Sequence, residues 1–189
     1  MNVEMEKWER KEGIKFLEKI GIRPGQIVLD FGCRVGHYTI PIAKIVGKKG
    51  KVYALDKDKL SLNELRKKAV KEVLENIILI ESIGNLKIPL EDESVDIIIL
   101  YDILHLIDDR KKLYKEVYKV LKKGKLLSVY PKHNKFDSPG WGLKNLTLED
   151  IKKEIVNYGF YFDEKYCDII SHDDELNKGC ILNFIKDKM

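Results

Sequence analysis

Short apolar runs typical of β-strands alternate along this chain with segments whose apolar residues recur every three or four positions, as in amphipathic helices. The first five runs alternate with helical segments. Two more runs follow near the end of the chain, separated by the polar segment 171–179. The predicted strands begin at Ile27 and then cover 51–55, 77–80, 95–100, 124–130, 160–170 and 180–185.

This alternation predicts an α/β fold of the doubly wound class, with a mainly parallel seven-stranded sheet and helices on both of its faces. The continuous apolar run 95–100 is expected for a strand that is covered on both sides. The last two predicted strands can pair as an antiparallel C-terminal hairpin. In such folds the crossovers are right-handed and ligands bind at the carboxyl edge of the sheet.

Caps and glycines set the predicted ends of the helices. An opening helix within residues 1–21 ends at Gly21 and is a candidate lid over a ligand site. The next helix is predicted over 37–46. The third begins either at a capping box on Ser61 or one turn earlier at Asp58.

Composition indicates one soluble globular domain over residues 1–189, because 44% of the residues are hydrophobic and 35% are charged. No apolar run approaches the length of a membrane span, and residues 1–7 are not followed by the apolar segment of a secretory signal. We therefore predict a cytoplasmic protein with no membrane partner.

The net charge is +4, and acids are interspersed among the lysines, so a nucleic-acid partner is not favoured. The oligomeric state stays open.

Cys33, Cys167 and Cys180 are predicted to be reduced thiols. Their number is odd, and no two of them have the CxxC spacing of a zinc site or a redox pair. No metal site is expected from them.

The segment 27–38 carries the strongest functional signal, because an apolar strand runs into Gly32 and Gly36. A strand that turns sharply into a helix at glycines leaves unpaired backbone N–H groups facing a ligand. Asp56 ends the next apolar run, 20 residues after Gly36. That spacing places a carboxylate at the tip of a neighbouring parallel strand, where it can accept hydrogen bonds from ribose hydroxyls. The pattern predicts a nucleoside-containing cofactor.

The residues within the turn argue against cofactors that bind through phosphates. A dinucleotide fingerprint starting at Gly32 needs glycine or a small residue at positions 34 and 37, which are Arg34 and His37. No Gly-Lys pair is followed by Ser or Thr, so a phosphate-cradling loop is also absent from the sequence.

The chain resembles the class I S-adenosylmethionine-dependent methyltransferases, and more narrowly the small single-domain members with a generic methyltransferase domain. The resemblance covers roughly residues 8–186 and lies in the segments 28–36, 52–56, 88–96 and 116–124. It implies a Rossmann-like methyltransferase fold and S-adenosylmethionine as the cofactor. It also implies that Asp30, Gly32 and Gly36 border the methionine end and that Asp56 holds the ribose. The other cofactor-binding residues that it suggests are Phe31, Cys33, Lys57, Ser82, Ile83 and Tyr101.

Arg34 departs from the family pattern because it replaces the middle glycine of the turn. Its side chain must either point away, for example to solvent, or occupy part of the site. If the position needs a positive φ, a residue with a Cβ is strained by about 1 kcal/mol. The residue beside adenine is also not fixed by the pattern: Glu81, Ser82 and Asn85 are candidates, with Ser82 and its neighbour Ile83 preferred.

Methyl transfer from a sulfonium is an in-line displacement that needs no metal, and a base is needed only if the acceptor must lose a proton. By location, the candidate catalytic groups are Tyr101, Asp102 and His105 after strand four, accompanied by Tyr130 and His133 after strand five. Each of the first three also has a structural interpretation: packing for Tyr101, a helix cap for Asp102 and a hydrogen-bonded structural histidine for His105.

Three functions follow from this sequence. The first is an S-adenosylmethionine-dependent methyltransferase acting on a small-molecule acceptor. The second is a cofactor-binding module whose catalysis is lost or weak, suggested by Arg34. The third is an RNA methyltransferase that needs a partner for recognition.

Overall fold

The computed structural model describes residues 3–187 of the chain. The predicted domain limits 1–189 therefore include Met1, Asn2, Lys188 and Met189, which lie outside the described residues. The alternation of helices and strands is confirmed. In chain order the elements are α1 (Val3–Lys7), a π-helical turn (Trp8–Glu12), α2 (Gly13–Lys19), β1 (Ile27–Phe31), α3 (Thr39–Val46), β2 (Lys51–Asp56), α4 (Lys59–Lys71), β3 (Ile77–Glu81), β4 (Val95–Tyr101), a 3₁₀ turn (Leu104–Leu106), α5 (Arg110–Val120), β5 (Leu121–Tyr130), a second 3₁₀ turn (Trp141–Leu143), α6 (Leu148–Val156), β6 (Phe160–His172) and β7 (Glu175–Lys186).

The first of two compact units combines the residues up to Gly84 with Ile169–Lys178. Its strands pair in parallel in the order β3-β2-β1, with Val28 opposite Val52 and Val52 opposite Ile77. The inner strands are apolar because both of their faces are covered, and α4 packs Leu62 and Leu65 into the same core as Cys33. This unit contains the predicted glycine turn.

The second unit combines Asn85–Asp168 with the residues from Gly179 onward. Here β4 and β5 pair in parallel, β5 and β7 pair antiparallel, and the strand order is β4-β5-β7-β6. Both β6 and β7 contribute residues to each unit. The seven-stranded, mainly parallel α/β sheet and its antiparallel C-terminal hairpin confirm the predicted fold class.

Several predicted boundaries were wrong by a few residues. Strand β5 begins at Leu121 and not at Gly124, because Leu121 is already buried and pairs with Val95. Helix α3 begins at Thr39, two residues after the predicted start. The cap of α4 is Asp58, whose carboxylate accepts the first free N–H groups of the helix, so the capping box on Ser61 was the wrong alternative.

The C-terminal hairpin is longer than the apolar pattern indicated. Only two residues, Asp173 and Asp174, separate its strands, so most of the polar segment 171–179 is strand. None of the first six residues of β7 is buried, so this part of the strand leaves no apolar run in the sequence.

The prediction that all three cysteines are reduced thiols was wrong for two of them. A disulfide joins Cys167 in β6 to Cys180 in β7 across the hairpin, 13 residues apart in sequence. Spacing rules for CxxC motifs do not detect a pair that strand pairing brings together. Cys33 is a free, buried thiol.

None of the helices within residues 3–187 combines the length and the apolar character that crossing a membrane requires.

Candidate functional site

The turn that follows β1 is fixed by backbone hydrogen bonds and by tight packing. The N–H groups of Gly32 and Cys33 both donate to the carbonyl oxygen of Leu55, at 2.8 and 3.1 Å. Gly32 and Gly36 have φ angles of 83° and 87°, in the left-handed region that favours glycine. A Cβ at Gly36 would lie 2.3 Å from Cδ1 of Leu65 in α4. The positive φ angles therefore favour glycine at both positions. Close packing against Leu65 is a second reason for glycine at position 36.

Arg34 sits in the same turn with a φ of 46°, although it is not a glycine. Its guanidinium forms an ion pair with Asp173 in the turn of the hairpin. Its backbone N–H donates to Oδ2 of Asp56 at 2.8 Å. The side chain of Arg34 is thus directed toward the hairpin turn, while its backbone takes the conformation expected of the missing glycine.

Asp56 ends β2 and is buried, with 8% of its surface exposed. Each of its carboxylate oxygens accepts one backbone N–H: Oδ2 from Arg34 at 2.8 Å and Oδ1 from Asp58 at 2.9 Å. A carboxylate oxygen can accept more than one hydrogen bond. The carboxylate is therefore held in one orientation and keeps the capacity to accept from a pair of hydroxyls.

Asp30 lies near the end of β1 and is also buried. It accepts a hydrogen bond from the hydroxyl of Thr39 in α3 at 2.5 Å. Burial raises the pKa of Asp30 to about 7, because the hydrogen bond from Thr39 only partly offsets the loss of hydration and the negative charge of Asp56 adds to it. Near neutral pH, this carboxyl group is poised between its two protonation states.

The side chains of Phe31 and Cys33 are buried. Cys33 packs among Ile40, Leu62 and their neighbours, and burial raises the pKa of its thiol far above the ordinary range. Because their side chains are buried, Phe31 and Cys33 can contact a ligand only through backbone atoms that the turn leaves exposed.

The predicted residues beyond β2 and β3 are more open to solvent. Lys57 is exposed, and Ile83 is 88% exposed. The backbone N–H of Ser82 donates to the carbonyl oxygen of Asp56 at 2.8 Å, and its hydroxyl accepts the N–H of Gly84 at 3.1 Å. Ser82 is therefore fixed directly beside the end of β2.

A group of polar side chains that we call the Glu9 cluster, made of Glu9, His37, Lys68 and Asp174, lies next to this turn. Its centre, Glu9 and His37, is buried, whereas Asp174 is exposed. Oε1 of Glu9 is 2.7 Å from both Nδ1 of His37 and Nζ of Lys68, and Nε2 of His37 is 2.9 Å from Oδ1 of Asp174. Burial raises the pKa of Glu9, but the hydrogen bonds from His37 and Lys68 outweigh it and leave the pKa below its ordinary value. The cluster joins the N-terminal helices, the glycine turn and the hairpin turn.

Sequence reasoning missed the Glu9 cluster. Its bonded pairs are separated by 28, 59 and 137 residues along the chain, so no local spacing connects them. The indole N–H of Trp8 also donates to the carbonyl oxygen of His37, at 3.0 Å. His37, interpreted from sequence mainly as a residue near a helix start, is a structural link between these segments.

In the second unit, Tyr101 ends β4 opposite Tyr130 of β5. Its hydroxyl lies 2.7 Å from Oγ of Ser128, and its ring is buried. The ring of Tyr130 packs edge-to-face on it at a centroid distance of 6.5 Å. These contacts give Tyr101 a packing role in the sheet, one of the three roles considered from sequence.

Asp102, His105 and His133, here called the Asp–His–His cluster, converge at the carboxyl ends of β4 and β5. Oδ1 of Asp102 is 3.5 Å from Nδ1 of His105 and 4.0 Å from Nε2 of His133. The three side chains are between 7% and 16% exposed. The rings of both histidines pack against Trp141. This arrangement can accept a proton, orient a polar acceptor or ligate a metal ion.

Comparison with protein families gives a match over residues 22–180 to the family described as "Methyltransferase domain". Among curated proteins, the chain is 33% identical over 108 residues to a demethylmenaquinone methyltransferase of Lactobacillus johnsonii, covering 57% of this chain and 44% of that protein. It is 28% identical over 156 residues to a ubiquinone/menaquinone biosynthesis C-methyltransferase of Vibrio parahaemolyticus, covering 82% and 56%. The chain thus spans about half the length of these relatives.

Among solved structures, the fold is similar to that of an SAM-dependent methyltransferase from Aquifex aeolicus. The TM-score is 0.78 at 25% sequence identity, and the match covers 96% of this chain and 93% of the other.

Proposed function

Because the chain belongs to the methyltransferase-domain family, within the class I S-adenosylmethionine-dependent methyltransferases, we propose that it transfers a methyl group from this cofactor to a small-molecule acceptor. The relatives named above act, by their names, on quinone-type molecules. A small acceptor is consistent with those names, and nucleic acid is not favoured as a partner.

The surroundings of Asp56 are the main support for cofactor binding. Its two oxygens are oriented by the N–H groups of Arg34 and Asp58 and can still accept from the two hydroxyls of a ribose. Gly32 and Gly36 keep Cβ atoms out of the turn where a ligand approaches the backbone. The residues present therefore fit the cofactor.

We assign Asp30, Gly32 and Gly36 to the methionine end of the cofactor and Asp56 to its ribose. The remaining proposed contacts are Phe31, Cys33, Lys57, Ser82, Ile83 and Tyr101. When bound, the cofactor supplies an activated methyl group on a sulfonium and leaves as a neutral thioether. The contribution of the chain is to hold the reactants in contact, which lowers a barrier of this kind by about 7 to 11 kcal/mol.

We assign the acceptor side to the carboxyl ends of β4 and β5. Asp102 and His105 are close enough to act together as a base when the acceptor carries a proton that must be removed. Tyr101, whose hydroxyl is hydrogen-bonded to Ser128, is the third proposed catalytic residue at this edge. Trp141, which packs on His105 and His133, offers an apolar surface for a cyclic acceptor.

The second candidate, a module without catalysis, was suggested by Arg34. The ion pair with Asp173 weakens that suggestion, because the long side chain is engaged at the hairpin turn.

We further propose that residues 1–189 work as one methyltransferase domain in the cytoplasm. The disulfide between Cys167 and Cys180 is unusual for that location.

A thermal-shift measurement with S-adenosylmethionine, S-adenosylhomocysteine and NAD tests the proposal. We expect both adenosyl compounds to raise Tm, since a ligand at 100 times its Kd stabilises a protein by about 2.7 kcal/mol. A shift with NAD alone would contradict the assigned cofactor. No shift with the wild type, together with a shift in Arg34→Gly, would favour the module without catalysis.

Transfer of a labelled methyl group from the cofactor into a fractionated cell extract then identifies the acceptor. Label in a small-molecule fraction supports the proposal. Label in RNA alone, with binding that weakens steeply as salt rises, would support the third function instead.

A further inference from the structure

We propose that Asp102, His105 and His133 bind one divalent transition-metal ion of the zinc class. Metal binding at this cluster does not depend on the proposed methyl transfer and is tested independently of it. With a metal bound, Asp102 and His105 act as ligands and not as a base. The fourth position would be open to water.

The spacing of the ligand atoms is the first support. One ligand atom from each of Asp102, His105 and His133 lies within 4.8 Å of the other two. The distances from Oδ1 of Asp102 are 3.5 Å to His105 and 4.0 Å to His133. Tetrahedral zinc, with bonds of about 2.0 to 2.1 Å, separates its ligand atoms by roughly 3.3 Å. Small side-chain rotations would close the cluster around an ion.

The tautomer of His133 is the second support. Its Nδ1 lies 2.9 Å from the carbonyl oxygen of Ser138, which can only accept, so Nδ1 carries the proton and donates. In the neutral ring Nε2 then has a lone pair, and Nε2 is the atom that faces Asp102. Histidines that bind metals usually donate their other N–H to a carbonyl or carboxylate in this way.

The backbone and the aromatic neighbours hold the cluster in place. Asp102 has a φ of 53° and His133 a φ of 64°, and the N–H of Asp102 donates to the carbonyl oxygen of Tyr130 at 3.0 Å. The ring of Trp141 lies 5.1 Å from that of His105 and 4.6 Å from that of His133. A site built on two paired strands and covered by an indole needs little rearrangement to bind an ion.

The donor set selects the class of metal. Two imidazoles and one carboxylate suit zinc and other first-row transition metals, whereas magnesium and calcium prefer oxygen ligands. We therefore expect zinc to bind and magnesium to have no effect at the same concentration.

The test is a titration of the chelator-treated full chain with zinc chloride against a chromophoric competitor. We expect one zinc per chain in the wild type and at least tenfold weaker binding in His105→Gln and in His133→Gln. Cobalt chloride provides a spectroscopic check, because cobalt with nitrogen and oxygen ligands gives visible absorption bands that the two variants should lose. Asp102→Asn is a third variant, and circular dichroism identifies any variant that does not fold.

Asp92→Asn is the matched control for Asp102→Asn, because it removes an exposed carboxylate outside the cluster and should leave zinc affinity unchanged. An equal loss in Asp92→Asn, or a wild type that binds no zinc, would overturn the proposal. Binding of S-adenosylhomocysteine is measured on the same samples. A wild type that binds this compound but not zinc contradicts the metal site alone, and the reverse result contradicts the proposed function alone.

Discussion

The backbone N–H of Arg34 donates a hydrogen bond to the carboxylate of Asp56 over 2.8 Å. The residue that departs from the expected glycine pattern is thus bound directly to the proposed ribose acid. Only the main chain of Arg34 makes this bond, while its guanidinium pairs with Asp173. The orientation of Asp56 is therefore set by the shape of the turn and does not require any particular side chain at position 34.

Asp56→Asn is expected to weaken binding of S-adenosylhomocysteine at least tenfold, because one carboxylate oxygen becomes an NH₂ group that cannot accept. Isothermal titration calorimetry measures the effect. Asp58→Asn is the matched control, since asparagine caps a helix as well as aspartate and Asp58 caps α4. Equal affinities of the wild type and Asp56→Asn would remove Asp56 from the cofactor site.

Gly36→Ala is expected to destabilise the protein more than Gly25→Ala. Both glycines have positive φ angles, so alanine is strained by about 1 kcal/mol at either position. Only at Gly36 would the new Cβ also lie 2.3 Å from Leu65, whereas nothing lies within 4 Å at Gly25. Overpacking adds roughly 1 to 3 kcal/mol. Urea unfolding of the two variants measures the difference, and equal losses would show that the contact with Leu65 is relieved without cost.

Arg34→Gly is expected to be more stable than Arg34→Ala by roughly 1 kcal/mol. Both variants lose the ion pair with Asp173, but only alanine keeps a Cβ at a φ of 46°. Comparing the two variants thus separates backbone strain from the ion pair. Thermal unfolding of both provides the measurement, and a higher Tm for the alanine variant would mean that the turn does not hold this conformation.

Asp30 is expected to make stability decrease as pH rises from about 4 to 7. The folded carboxyl ionises at a pKa of about 7 and the ordinary value is 3.8, so between these limits the folded state binds the extra proton. The full effect is on the order of 4 kcal/mol. The Asp30→Asn variant should lack this part of the pH dependence of the free energy of unfolding. Urea unfolding at pH 5 and pH 8 checks it, and identical pH dependence in the two proteins would contradict the raised pKa.

Reduction of the disulfide between Cys167 and Cys180 is expected to lower the free energy of unfolding by about 3 kcal/mol, the value for a loop of similar length. Melting with and without dithiothreitol measures this loss. The double variant Cys167→Ser, Cys180→Ser should melt at the same temperature in both buffers. A wild type that is equally insensitive would show that the bond does not form in solution.

The structural features that the sequence predicted correctly are those fixed by the main chain. Gly32 and Gly36 could be identified because left-handed turns and tight packing restrict the residue type at their own positions. The end of β2 at Asp56 could be identified because apolar runs mark strands.

The contacts that the sequence did not reveal join side chains that lie far apart in the chain. Arg34 and Asp173 are 139 residues apart, and the pairing of Cys167 with Cys180 depends on the register of a hairpin whose outer residues are polar. Asp58 and Ser61 were both reasonable caps, and only the hydrogen bonds of the folded helix distinguish them. Contacts between distant residues, and the choice between two equivalent helix caps, can be identified only in the folded structure.

The bonds of the hairpin turn to the glycine turn also set an order of events during synthesis on the ribosome. Arg34 and His37 leave the ribosome long before Asp173 and Asp174, their partners 139 and 137 residues later. Contacts between such distant residues form late and slow the folding of a chain. A nascent chain that already contains β1 to β5 would thus still lack the side-chain contacts that fix its glycine turn. Protease sensitivity of stalled chains at that turn should persist until the hairpin emerges.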